Sequence, residues 1–211
     1  MGKRIIRIII IAVLTVIFFK STTIGWRFWG EISMKDEQND SQLARDLKKH
    51  VYELSHTIGD RSVFHYENLQ KAAAYIEETF ASFGYRLEFQ EYTAQGKAVK
   101  NIIAVKKGVE KPEEVIVVGA HYDTCFNPGA DDNASAVAGL LEVARMLSQE
   151  KTQRTVKLIA FVNEEPPFFQ TDEMGSVQYA KQAKKSGENI QAVIILEMIG
   201  YYTDKPHSQT Y

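Results

Sequence analysis

Short apolar runs alternate with amphipathic stretches over most of the chain. Apolar runs of about four to eight residues are typical of buried strands, whereas apolar residues spaced three and four apart predict helices. The pattern predicts strands at residues 86–93, 99–106, 115–120, 155–162 and 192–196. It predicts helices at residues 43–54, 68–83, 134–147 and 175–185.

The order of these elements indicates the fold class. From residue 115 onward the predicted strands alternate with helices, as in β-α-β units whose strands pair in parallel. The earlier strand at residues 86–93 mixes polar and apolar positions, which is typical of a strand near a sheet edge. The sequence therefore predicts an α/β domain with a mixed, mainly parallel sheet.

The first thirty residues have a different character. Residues 5–19 are apolar apart from Arg7 and Thr15, and basic residues flank them. A membrane-spanning helix needs about 20 residues and at least about 17, a length that the run reaches if residues 24–26 are included. No Ala-x-Ala-like site indicates a cleaved signal peptide. We expect residues 1–30 to be a membrane anchor, 31–42 a linker and 43–211 an extracytoplasmic domain. Secretion after signal cleavage is the alternative.

The composition of the chain excludes a class of function and a type of cross-link. The chain has 25 Lys and Arg against 27 Asp and Glu, a net charge of −2, so it lacks the basic excess of a nucleic-acid-binding protein. The single cysteine, Cys125, excludes an intrachain disulfide. Its position near His121 allows a metal ligand or a reactive thiol, but we favour a small buried residue.

Candidate chemistry lies at the ends of three predicted strands and at the start of a helix. The residues concerned are His121, Asp123, Asp132, Glu164, Glu165 and Glu197. In an open α/β sheet, ligands bind beyond the carboxyl ends of the strands. One imidazole together with several carboxylates is a typical set of zinc ligands. The pattern therefore predicts a hydrolytic metal centre.

Some of these residues have plainer interpretations. Asp131 and Asp132 could both cap the helix that follows; we assign that role to Asp131 and a ligand role to Asp132. Glu164 and Glu165 could be a solvated turn pair, but they directly follow a buried strand. The other histidines show no ligand pattern and are interpreted as non-ligands: His50, His56, His65 and His207.

Four motifs make the chain resemble the M28 family of zinc metallopeptidases, which includes secreted bacterial aminopeptidases. They are HYDT at residues 121–124, GADDNAS at 129–135, NEEP at 163–166 and LEMIG at 196–200. The resemblance spans roughly residues 55–202 and implies a three-layer α/β/α zinc-exopeptidase-like fold. It also implies a cis peptide bond between Asp132 and Asn133.

The resemblance implies a role for each site residue. The metal ligands that it implies are His121, Asp132, Glu165 and Glu197, with Asp132 bridging two zinc ions. Glu164 matches the general base, which takes a proton from water and passes it to the leaving amine. Asp123 matches a carboxylate that orients the ligand histidine.

The implied activity is that of an aminopeptidase. Water activated at the metal attacks a peptide carbonyl near the N-terminus of a peptide or protein, with Glu164 as base. The implied partners are that substrate and, through residues 1–30, the membrane. Two other functions stay open: a single-zinc glutaminyl-cyclase-like acyltransferase, and a catalytically silent ectodomain that serves binding alone.

Two features depart from the family pattern. The family's fifth ligand is a histidine well beyond the Glu197 position, and His207 lies too close to Glu197 to match it. We therefore expect a C-terminally truncated domain in which the second ion keeps only Asp132 and Glu165. Such a chain should bind one zinc or fewer firmly and have little or no aminopeptidase activity. The loop at residues 166–174 also looks long, and the Phe-Phe pair within it could line the substrate entrance.

Overall fold

A five-stranded mixed sheet lies at the centre of the fold. The computed structural model describes residues 42–201, 203 and 205. The strands are β1 (Arg86–Ala94), β2 (Lys97–Lys106), β3 (Lys111–His121), β4 (Arg154–Phe161) and β5 (Asn189–Ile195). The helices are α1 (residues 42–52), α2 (Tyr66–Ser82), α3 (Ala136–Ser148) and α4 (Gly175–Ser186). Two π-helical segments, Glu53–Ile58 and Ala130–Ser135, complete the list. Every predicted strand and helix is present.

The strand order is β1-β2-β4-β3-β5. β1 with β2 and β2 with β4 pair antiparallel, whereas β3 pairs parallel with both β4 and β5. The predicted mixed α/β sheet is therefore confirmed. Because β4, β3 and β5 are parallel neighbours, their carboxyl ends meet at one edge of the sheet.

Helices cover both faces of this sheet. On one face, α2 and α3 pack in an apolar cluster that includes Leu69, Ile76, Val118, Leu140 and Leu158. On the other face, α4 packs in a smaller cluster that includes Ile103, Val117, Ile159, Tyr179 and Ala183. Successive residues of a strand point to opposite faces, so Val117 and Val118 belong to different clusters. The fold thus has the three layers that the resemblance implied.

β3 begins earlier than the sequence indicated. The prediction started this strand at Val115, where the apolar β-branched run begins after Pro112, Glu113 and Glu114. In the structure the strand starts at Lys111, which pairs with Arg154, and the register shifts between Lys111 and Val115. This irregularity accommodates the proline within the strand.

β5 is an edge strand with both faces accessible to solvent. Consecutive side chains, which point to opposite faces, are about half exposed: Val193 57%, Ile194 50% and Ile195 52%. Among residues 42–201, no strand pairs with the outer edge of β5. The sheet is therefore least covered on the side from which Glu197 emerges.

The predicted anchor at residues 1–30 and nearly all of the linker lie outside the described residues, as does His207. Residues 42–45, the described part of the unit that ends at Arg45, are helical. Within the described part of the chain, no helix is both long enough and apolar enough to cross a bilayer.

His50 links three helices in the core and should make stability depend on pH. Its Nδ1 lies 2.7 Å from the Tyr75 hydroxyl on α2, and its Nε2 lies 3.4 Å from a Glu142 carboxylate oxygen on α3. Burial lowers the pKa of His50, while the charge of Glu142 opposes this shift. Below about pH 6.5 the unfolded chain therefore binds a proton that the folded chain does not.

We expect acid to reduce the free energy of unfolding through this histidine. The contribution of His50 to the free energy of unfolding is present above about pH 6.5 and is lost as pH falls. The free energy should change by up to about 1.4 kcal/mol per pH unit. His50→Gln should remove this slope, as measured by urea unfolding of variant and parent across that range. His56→Gln, at an exposed position, is the control. A His50→Gln slope equal to that of the parent would contradict the assignment.

Candidate metal centre

The carboxyl ends of three parallel strands bring one histidine and several carboxylates together. His121 is the last residue of β3, the Glu164–Glu165 pair follows β4, and Glu197 follows β5. From His121 Nε2 the distances are 3.1 Å to Asp132 Oδ1, 3.5 Å to Glu197 Oε1 and 3.8 Å to Glu164 Oε2. The imidazole therefore faces three carboxylates.

His121, Asp132 and Glu197 form a donor set that suits a zinc ion. Their ligand atoms all lie within 4.8 Å of one another. His121 Nε2 and Asp132 Oδ1 are both buried, and neither has a hydrogen-bond partner of suitable geometry. Buried polar atoms normally have partners, and a cation bound between these atoms would supply one. The residues present therefore fit a zinc ion.

The charge balance of the site also favours a cation. Burial lowers the pKa of His121, but its contacts with Asp123, Asp132 and Glu197 outweigh this effect and raise the pKa to about 12. Contact with His121 in turn lowers the pKa of Asp132. A single imidazole thus balances an excess of carboxylates, which a divalent ion would balance better.

A kink places Asp132 beside the histidine. The segment Ala130–Ser135 precedes α3, and Asp132 and Asn133 have non-helical φ/ψ angles within it. The peptide bond between Asp132 and Asn133 is cis, as the resemblance implied. The non-helical angles take the Asp132 carboxylate out of the path of the helix and towards His121 at the end of β3.

Asn133 holds Glu197, the third residue of the cluster, and was not singled out from the sequence. Its fully buried side-chain amide donates to Glu197 Oε2 at 3.1 Å and to the Leu196 carbonyl at 3.2 Å. Its side-chain oxygen accepts the Met198 N–H at 3.1 Å. Asn133 therefore fixes the segment that carries Glu197. The one signal for Asn133 in the sequence was its position directly after Asp132, a predicted ligand.

The helix-capping role assigned to Asp131 is wrong. Its Oδ1 accepts the Gly200 N–H at 2.8 Å and the Ser135 hydroxyl at 3.1 Å. It makes no capping bond to α3, whose N-cap residue is Ser135. Asp131 instead ties the segment after β5 to the kink through its contact with the Gly200 N–H.

Asp123 connects the histidine to the paired glutamates. Its two carboxylate oxygens accept the N–H groups of Glu164 and Glu165 at 3.0 and 3.1 Å. His121 Nδ1 lies 3.2 Å from the Asp123 carbonyl and 3.5 Å from its Oδ1. The side chain is thus close enough to orient the histidine, and it also holds the main chain of both glutamates.

Asp123→Asn should disturb the centre through these contacts. An amide nitrogen cannot accept an N–H, so one of the two bonds to the glutamates is lost and two donors face each other. We expect zinc affinity to fall about 10- to 100-fold and the free energy of unfolding to fall by about 1–3 kcal/mol. Chelator competition and urea unfolding measure the two effects. Unchanged zinc affinity would show that Asp123 acts on stability alone.

A turn after β4 separates Glu164 from Glu165. Asn163 adopts φ +60°, a left-handed conformation that asparagine tolerates better than most residues. Glu164 reaches towards His121, whereas Glu165 lies outside the three-residue cluster found among the described residues. Burial raises the pKa of Glu164, and burial together with the charge of Asp132 raises that of Glu165 to about 7. The contacts of the described residues thus bring Glu164, and not Glu165, close to the imidazole.

Two predictions about neighbouring residues need correction. Phe168 is buried in the larger apolar cluster, so only Phe169, which is 51% exposed, can line an entrance. Cys125 is half-buried rather than buried, and its Sγ lies 3.6 Å from the Pro166 carbonyl. The histidines interpreted as non-ligands include His50, described above, and His65, which contacts Asp60 at 3.1 Å.

Sequence comparisons give a family and two informative relatives. The sequence profile of peptidase family M28 matches residues 101–211. The chain is 43% identical over 174 residues to the uncharacterized protein YfbL of Escherichia coli strain K12. This alignment covers 78% of this chain and 52% of YfbL. It is 33% identical over 126 residues to aminopeptidase YwaD of Bacillus subtilis strain 168, covering 56% of this chain and 25% of YwaD. The chain thus spans about half the length of YfbL.

Solved structures share the fold. The zinc aminopeptidase BSAP from Bacillus subtilis matches with a TM-score of 0.67 and 15% identity, over 74% of this chain and 69% of BSAP. A glutaminyl cyclase from Porphyromonas gingivalis matches with a TM-score of 0.63 and 27% identity, over 74% of this chain and 59% of the cyclase.

Proposed function

The chain belongs to peptidase family M28, and on that premise we propose that it carries the catalytic centre of a zinc-dependent peptidase of aminopeptidase type. The observation that supports this most is the cluster of His121, Asp132 and Glu197 with the Glu164 carboxylate 3.8 Å from the imidazole. The 33% identity to an aminopeptidase of Bacillus subtilis supports the type of substrate.

His121, Asp132 and Glu197 would hold one zinc ion, and Asp132 with Glu165 would contribute to a second. Bound there, the metal supplies a Lewis acid that polarises a carbonyl oxygen and lowers the pKa of water. Asp123 orients His121 and holds the main chain of Glu165.

Glu164 would act as the general base. It is outside the three-ligand cluster but near it, so its carboxylate is available to take a proton from the attacking water and return it to the leaving amine. Burial raises the pKa of Glu164, which brings this carboxyl closer to the pH at which it works.

A free N-terminus is the proposed substrate group. The similarity to an aminopeptidase of Bacillus subtilis, 33% identical over 126 residues, supports this choice. Peptides or proteins with a free α-amine are thus the expected substrates.

The test is hydrolysis of leucine p-nitroanilide by the purified chain, loaded with zinc and compared with its N-acetylated analogue. We expect zinc-dependent release from the free amine only. The release should be slow, because the described residues offer a second ion no more than Asp132 and Glu165. Equal rates with both substrates, or release that persists after chelation, would contradict the proposal.

Glutaminyl-cyclase chemistry is the second candidate. It is favoured by the one complete three-ligand set among the described residues and by the 27% identity to a solved glutaminyl cyclase. Incubation with a peptide that begins with glutamine distinguishes the two. Cyclisation with loss of ammonia would support the cyclase, whereas release of the first residue would support the peptidase.

We propose further that residues 1–30 anchor the domain at the outer side of a membrane. The support is the apolar run at residues 5–19 behind a basic start. Fractionation of cells that express the chain, followed by protease treatment of intact spheroplasts, tests this. A soluble cytoplasmic chain would contradict it.

A further inference from the structure

Arg61 is a completely buried cation whose guanidinium binds only main chain. Its five acceptors are the carbonyls of Tyr122 (2.7 Å), Leu54 (3.2 Å), Gly59 (3.1 Å), Pro128 (2.7 Å) and Gly129 (3.1 Å). No carboxylate in residues 42–201 lies within ion-pair distance of it. Burying a charge without an ion partner is unfavourable. We therefore expect the contacts of Arg61 to serve a specific purpose in the structure.

The acceptors show which part of the protein depends on Arg61. Tyr122 lies between His121 and Asp123, and Gly129 lies just before the kinked segment that carries Asp132. One planar group thus binds both ends of the loop that connects two metal-ligand positions. A guanidinium has donors in a fixed fork, so these contacts restrict the separation of the loop ends.

Further contacts hold the arginine in register with this loop. The Arg61 N–H donates to Thr124 Oγ1 at 2.9 Å, and the Thr124 N–H donates to the Arg61 carbonyl at 3.2 Å. The Thr124 hydroxyl donates to Asp60 Oδ1 at 2.9 Å. Gly129 has φ +56°, and a Cβ there would collide with the Asp132 carbonyl and approach the guanidinium. The loop is therefore closely fitted around Arg61.

We propose that Arg61 is a positioning residue that sets the separation of His121 and Asp132 for metal binding. This role rests on the proposed metal centre. Lysine at position 61 would keep the positive charge but lose the fork, so it could not bind the carbonyls at both ends of the loop. Loss of the fork should change the metal site itself and not stability alone.

The test compares Arg61→Lys with the parent chain and with Arg145→Lys, a control on α3 whose guanidinium pairs with Glu142. Zinc affinity is measured by chelator competition, and ligand geometry by the visible absorption of Co²⁺. Both are recorded at a temperature where the metal-free variant is folded. We expect Arg61→Lys to bind zinc about 10- to 100-fold more weakly with an altered Co²⁺ spectrum, and Arg145→Lys to match the parent.

Parental affinity and spectrum in Arg61→Lys would overturn the proposal, whatever its melting temperature. If this variant does not fold, Thr124→Val removes the hydroxyl between Asp60 and Arg61 while keeping side-chain shape. It should then weaken zinc binding several-fold, and parental binding would again overturn the proposal. A parent chain that binds neither Zn²⁺ nor Co²⁺ would overturn the metal centre itself and this role with it.

Discussion

Glu164→Gln should lower kcat for zinc-dependent hydrolysis by about 10²- to 10⁴-fold while zinc content stays nearly unchanged. The Glu164 carboxylate lies 3.8 Å from His121 Nε2, outside the cluster formed by His121, Asp132 and Glu197. Glutamine has the same shape as glutamate but cannot take up the proton. The expected loss is therefore in the chemical step and not in metal binding.

Glu165→Gln is the matched comparison, because it makes the same change one residue away. If Glu165 shares a second ion with Asp132, this variant should lower both zinc content and rate. Atomic spectroscopy counts the metal, and a fluorogenic aminoacyl substrate at high enzyme concentration measures the slow turnover. Zinc loss of equal size in the two variants would show that base and ligand are assigned wrongly.

Asp132→Asn should weaken zinc binding by more than about 100-fold, which exceeds the usual loss for residues that only support a ligand. Asp132 Oδ1 lies 3.1 Å from His121 Nε2 and is buried without a hydrogen-bond partner. The substitution keeps the size of the side chain but removes a negative charge that the ion requires. Hydrolysis should be lost together with the metal.

Asp131→Asn is the control for this prediction. Asp131 Oδ1 accepts the Gly200 N–H and the Ser135 hydroxyl, and an asparagine oxygen can accept both. We expect parental zinc affinity in this variant, measured by the same chelator competition. Similar zinc loss in the Asp131 and Asp132 variants would indicate a general effect of charge on the loop and would remove the support for Asp132 as a ligand.

Most elements of the fold could be predicted from the sequence, because hydrophobic periodicity is a local property. The carboxyl ends of the strands beside His121, Glu164 and Glu197 were each predicted to within one residue. The alternation of strands and helices also predicted the parallel pairs that place these three residues at one edge. Polar residues directly after apolar runs were therefore enough to identify the candidate site.

The hydrophobic pattern gave wrong predictions where the surroundings of a residue come from parts of the chain that are distant in sequence. The predicted cap, Asp131, binds Gly200, which is 69 residues away. Phe168 was expected at an entrance because its loop looks long, yet it packs in the main apolar cluster. The start of β3 was misplaced because a register shift, invisible in periodicity, accommodates Pro112.

The sequence by itself determined the family, the order of strands and helices, and the residue types at the strand ends, since each follows from local pattern and motif. Only the tertiary structure decided how those residues are held. Asn133 reaches Glu197 across 64 residues, Arg61 reaches Tyr122 across 61, and Asp123 accepts the Glu164 N–H across 41. A hydrogen bond between such distant residues depends on packing and register, which no periodicity along the chain records.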